Sequence, residues 1–239
     1  MKRTFLQLAA AGIVVSIAVA ACGPSGSGTN SPSPSTAAKT AAAASPSATT
    51  ATTASATAMS KAADLRVALN LLLLDHVYIT AQATDQALIG NDAGFKAAAA
   101  TLDKNTVGLG NAIGSVYGDA AKTTFLELWR KHVGFFVSLT KGVAAKDQAM
   151  QDKAKADLDG YRKDFDAFIA GANPNLPKGA VAELLIPHIT GITAFIVDQS
   201  TKADKTFDDV ETAANHSQKV ADPLAEAIVK QYSDKFPGK

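Results

Sequence analysis

The sequence predicts an all-α fold, a six-helix bundle made of three repeated antiparallel helical hairpins. Three observations lead there. Apolar residues recur at helical spacing from position 58 to position 233, one pattern returns at an even period, and the segment is rich in Ala and Leu but poor in aromatics. The recurrence is clearest at the histidines. His76, His132 and His188 are evenly spaced, at a period of 56. Leu69, Leu72, Leu73, His76 and Val77 match Phe125, Leu128, Trp129, His132 and Val133, and then Val181, Leu184, Leu185, His188 and Ile189. Each set reads apolar-x-x-Leu-apolar-x-x-His-apolar, which puts all five side chains on one stripe of a helix. The second helix of each unit keeps register too, with Leu102, Leu158 and Ala214 equivalent, and likewise Ala112, Phe168 and Leu224. Repeats of this size are the signature of stacked helical hairpins, and three of them can also close into a bundle.

Taken in order, the helices are expected at roughly 58–89, 92–116, 119–144, 147–171, 178–201 and 204–233. Polar or small turns separate the partners of each hairpin, at Gly90-Asn91-Asp92, Ala145-Lys146-Asp147 and Ala203-Asp204. Stronger breaks separate the hairpins, at Tyr117-Gly118-Asp119 and Asn173-Pro174-Asn175-Leu176-Pro177. Pro187 should kink the fifth helix. Asp222-Pro223 reads as an N-cap with Pro at the first helical position, so the sixth helix is expected to break and restart there. Gly108 and Gly110 fall mid-helix and imply close helix packing.

The chain before position 58 is of another kind. Lys2-Arg3 precedes an apolar run, Phe5 to Ala21, interrupted by Gln7 and Ser16. Val19-Ala20-Ala21-Cys22 then looks like a lipobox, so residues 1–22 are expected to be a lipoprotein signal peptide with Cys22 as the acylated residue. A plain signal peptide cut after Ala-x-Ala is the alternative. Residues 23–57 are Ser, Thr, Ala, Pro and Gly with one charge, Lys39, and cannot bury enough apolar surface to offset ordering. They are expected to be a disordered tether, leaving 58–239 as the helical domain.

Composition excludes several classes. Of 23 Lys and Arg, three (Lys2, Arg3 and Lys39) precede the domain, which therefore sets 20 against 22 Asp and Glu and offers no basic face for nucleic acid. With one cysteine in the chain, an internal disulfide, a thiolate zinc site and a redox pair are impossible. No Gly-x-Ser-x-Gly elbow, phosphate loop, dinucleotide fingerprint or His-Glu-x-x-His helix is present, so no enzyme activity and no bound cofactor are expected.

The histidines admit two readings. A hairpin turning near residue 91 brings His76 opposite Asn105, and the same folding-over sets His132 near Tyr161 and His188 near Ser217, each partner again one period from the next. A buried imidazole needs a partner for its N–H, so hydrogen bonds within each hairpin are the favoured expectation. The other reading brings His76, His132 and His188 together on copper or zinc with His216 nearby as a fourth ligand. The carboxylates of a ferritin-like site are missing: Glu127 and Glu183 precede their histidines by five positions, not three. Trp129, the single tryptophan, lies on the core stripe and is expected to pack there.

From Leu72 to Phe236 the chain resembles a family of uncharacterised bacterial secreted proteins and lipoproteins built as helical bundles, some labelled "copper amine oxidase-like". The matching pieces are Asp75-His76-Val77-Tyr78, Leu102-Asp103-Lys104-Asn105-Thr106, Ser115-Val116-Tyr117-Gly118, Leu128-Trp129-Arg130-Lys131-His132 and Ala213-Ala214-Asn215-His216. The family often places Met after that last histidine, where this chain has Ser217. The resemblance implies fold and location and brings no activity. The expected protein is thus a surface-tethered, non-enzymatic binding module on the outer side of the cell membrane. Its expected partners are the membrane, through the lipid, and a protein or small molecule, with metal binding as the alternative.

Overall fold

A computed structural model of the chain describes residues 60–237. The expected signal peptide, Cys22 and the tether lie outside the described residues. Six helices account for most of the rest: α1 (Lys61–Leu88), α2 (Asp92–Tyr117), α3 (Asp119–Ala145), α4 (Gln148–Ala172), α5 (Ala180–Thr201) and α6 (Thr206–Gln231). No strand occurs among the described residues.

The helix ends follow from local chemistry. Ser60, Asn91 and Asp147 accept from Ala63 N, Gly94 N and Met150 N at 3.2, 3.1 and 3.0 Å, satisfying backbone donors that have no carbonyl within their own helix. α3 and α5 end on Lys146 and Lys202 in the left-handed region, which turns the chain into the next helix. Gly118, at φ 87°, is at once the end of α2 and the start of α3, a conformation that favours glycine. α5 has no side-chain cap of its own. Asp166, on α4, supplies one instead, accepting from Gly179 N, Val181 N and Ala182 N at 2.8, 3.0 and 3.2 Å.

Consecutive helices pack against each other, joined by short turns and hence antiparallel. α6 also packs against α1, so the six helices close into a ring. Inside it α1, α3 and α5 each touch the other two, with α2, α4 and α6 as an outer layer. Gly108 and Gly110 allow the close approach of α2 to its neighbours: a Cβ at Gly110 would stand 2.7 Å from Leu126 Cδ2, and one at Gly108 3.0 Å from Leu72 Cδ2. Where α6 meets α1, the Asn70 amide donates to Asp222 Oδ1 at 2.9 Å. At the pole formed by the ends of α2, α4 and α6, Asn173 donates to the Tyr117 hydroxyl at 2.9 Å. That hydroxyl donates to Gln231 Oε1, and the Gln231 amide donates to the Ala172 carbonyl.

Two sequence expectations about proline need correction or sharpening. α6 runs unbroken through Pro223, because Asp222 spends its carboxylate on Asn70 and Arg66 rather than capping a new helix. α5 is likewise continuous through Pro187. α5 is also long and apolar enough to cross a membrane by length and composition. Its Ile192, Phe195 and Ile196 are completely buried in the bundle core.

The core has two apolar halves. One gathers Leu73, Trp129, Phe165 and Leu185, the other Val77, Phe136, Leu139 and Ile192. Between these halves, on each inner helix, stands a histidine.

Candidate metal centre

The inner helices α1, α3 and α5 each contribute one residue of the apolar stripe to the same level of the bundle, and on each the residue is the repeated histidine. His76, His132 and His188 are 1, 2 and 8 % exposed, so none of the three is a surface residue turned inward. Their ligating nitrogens lie within 4.8 Å of one another. His76 Nε2 and His132 Nε2 are 3.4 Å apart. The His76 ring is 5.3 Å from that of His132 and 6.0 Å from that of His188, centroid to centroid. Three nitrogens bound 2.0–2.1 Å from one ion stand roughly 3.3–3.6 Å apart. The closest pair already has that spacing.

Aromatic rings hold the imidazoles in place. Trp129 presents an edge-on contact to His132 at 4.6 Å and to His76 at 5.1 Å, and stacks on Phe125 behind. Tyr161 stacks on His132 at 4.6 Å and 20° between planes. Phe136 closes the other side against His132 and His188.

Burial and mutual repulsion keep these rings uncharged. Removal from water holds His76 down to about 3, with the neighbouring His188 adding to it. His188 is held to about 4 by burial and by His216. His132 is pushed well below the ordinary histidine range by burial, then by His76 and His188, against a smaller upward pull from the backbone of Trp129. At neutral pH all three are neutral, so each ring has one nitrogen with a lone pair, the form a metal requires, and the Nε2 atoms of His76 and His132 share a hydrogen bond.

The hydrogen bonds expected within each hairpin are not made. The Asn105 amide donates to the Leu72 carbonyl at 2.9 Å, Tyr161 meets His132 face to face, and Ser217 donates to Ala214 O at 2.6 Å. The reason is directional: Asn105 and Ser217 reach backbone carbonyls before they reach a ring, and the Tyr161 ring packs flat. His216 stands apart from the trio, half-buried, with Nε2 3.1 Å from the Leu184 carbonyl. It is not a fourth member of the cluster.

Five buried polar side-chain atoms find no hydrogen-bond partner among the described residues: His76 Nδ1, His132 Nδ1, Tyr161 Oη, Trp129 Nε1 and Asn105 Oδ1. Two belong to the trio, two more to rings packed against it, and Asn105 binds the backbone one turn before His76. A buried unsatisfied polar group costs about 1–3 kcal/mol, so their concentration at one level marks a place that stability alone would have filled with apolar residues. Tyr161 lies beside His132 and Trp129 on the core stripe, as their recurrence and phase led one to expect; that Tyr161 stacks on the ring instead of bonding to it, and that both wall a histidine cluster, was not foreseen from sequence.

Two cavities adjoin the trio. An apolar one of about 50 Å³ touches His188, Trp129, Leu73, Leu185 and Ser217. The other, about 240 Å³, reaches His76 past Thr80, Thr84, Thr140 and Asp92, between α1, α2 and α3. It touches His76 alone of the three histidines, and Phe95, Leu102, Val133 and Phe136 make much of its wall apolar.

Comparison with protein families, with curated proteins and with solved structures found no match to this chain.

Proposed function

We propose that the protein is a lipid-anchored, extracytoplasmic metal-binding bundle, without catalytic activity, that holds one metal ion between His76, His132 and His188. The observation that carries this reading is the convergence of three buried, neutral imidazoles from three different helices. Three histidine nitrogens are a complete protein ligand set for a d10 or late first-row ion. The lipid anchor rests on the sequence, on the placement of Cys22 after Val19-Ala20-Ala21.

One set of preparations tests both parts. Wild-type protein, extracted from membranes with detergent, should hold about one equivalent of added metal per chain through washing. His132→Phe, which keeps an aromatic ring against Tyr161, should remain helical and in the membrane but bind none. Cys22→Ala should pass to the soluble fraction and still bind. Wild-type protein that retains neither zinc nor copper would overturn the metal reading, and unchanged membrane retention of Cys22→Ala with an intact, uncleaved signal would mean that the apolar segment Phe5 to Ala21 is itself the anchor.

A further inference from the structure

We infer that the tris-histidine site selects a monovalent d10 ion, copper(I), over divalent zinc. This rests on the metal-binding reading and adds the identity of the ion. Its basis is charge. Three neutral imidazoles bring no negative charge to the ion, and the work of carrying an ion from water into a low-dielectric interior grows with the square of its charge. A divalent ion is therefore about four times as costly to bury uncompensated as a monovalent one.

Among the described residues, no buried carboxylate is free to compensate the ion; Asp92, which lines the cavity reaching His76, is exposed to solvent. The two buried carboxylates there are Asp166 and Asp198. Asp166 is committed to the start of α5, and Asp198 is paired with Lys205. No carboxylate figures among the charges acting on His76, His132 or His188; only other histidines do. The apolar cavity on the His188 side, walled by Leu73, Leu185, Phe125 and Trp129, offers no stabilisation to a hydroxide completing a zinc tetrahedron. Copper(I) needs neither an anion nor a fourth ligand; imidazole suits copper and zinc alike, so charge rather than ligand type makes the selection.

The test is competition against coloured chelators under strictly anaerobic conditions, with copper(I) and zinc(II) offered separately. The full chain carries Cys22→Ala, which removes the one thiol that would itself bind copper(I). One copper(I) per chain should be withheld from its chelator, and zinc should bind more weakly by on the order of 100-fold or more. His132→Phe should abolish copper(I) retention, and His188→Asn should weaken it, both with helicity unchanged by circular dichroism. Zinc bound as tightly as copper(I), with a proton released as its bound water ionises, would overturn the choice of ion and leave the metal site standing. Neither ion withheld by the wild-type trio would overturn both. Copper(I) still withheld by His132→Phe would place it elsewhere and overturn the assignment.

Discussion

At the scale of residues, the interior keeps polar groups where apolar ones would pack as well, and Tyr161 makes this measurable. Its ring is used fully, against His132 and Phe165, while its hydroxyl is buried without a partner. Removing an unpaired buried hydroxyl should cost nothing and can gain up to about 1 kcal/mol. Tyr161→Phe should therefore leave the denaturant midpoint unchanged or raise it. A loss above about 1 kcal/mol would show that the hydroxyl has a partner after all. The candidate site was partly legible in the sequence. The even spacing and the phase of the stripe put His76, His132 and His188 on inward faces, and helical phase is fixed by the turn of the helix. What phase cannot give is the distance across the bundle. Whether each ring meets its own hairpin or the other two histidines depends on how closely α1, α3 and α5 approach, and nothing local sets that.

Elements behave in the same way: their existence was readable, their ends less so. All six helices lie within two or three positions of where they were expected, because turn residues such as Gly118 and Asp147 act locally. The Asp222-Pro223 reading failed for a nonlocal reason, the capture of Asp222 by Asn70 on the first helix. The start of α5 is a second nonlocal case. No residue of its own caps it, and Asp166 does so from α4 with three backbone N–H donors, charge-assisted and largely out of water. Asp166→Ala should cost about 2–3 kcal/mol, and Asp166→Asn, which keeps one acceptor oxygen, distinctly less. Urea unfolding followed by circular dichroism reads both. If the alanine variant loses less than about 0.5 kcal/mol, the low end for removing a helix cap, then water caps this helix as well as Asp166 does.

For the molecule as a whole, the histidine layer makes stability depend on pH. In the unfolded chain a histidine takes up its proton near 6.5, whereas the fold holds His188 to about 4 and His76 to about 3. Below 6.5 the unfolded state therefore binds more protons than the folded one, and protonation favours unfolding. The contribution of these rings is complete above about pH 6.5 and is lost as pH falls from there toward 4 and 3. Each neutral ring costs at most about 1.4 kcal/mol per unit of pH, so the three together approach about 4 kcal/mol per unit. The urea midpoint should fall steeply from about pH 6.5 to about 5, and the His132→Phe variant should show a slope shallower by about a third. A flat profile over this window would mean that the folded protein protonates these rings freely.

The packing of α6 on α1 has a consequence for the meaning of chain order. Leu69 and Ile228 share one half of the core, and the helices that carry them bridge through Asn70 and Asp222. The junction between the last helix and the first is thus made of the same stuff as the junctions between hairpins, lacking only a peptide bond. A ring has no first helix. A covalent link from the end of α6 to the start of α1, with new termini cut at the Lys146-Asp147 turn, would leave every packed face and all three imidazoles where they are. Sequence order in this domain is then a matter of where the ring was opened.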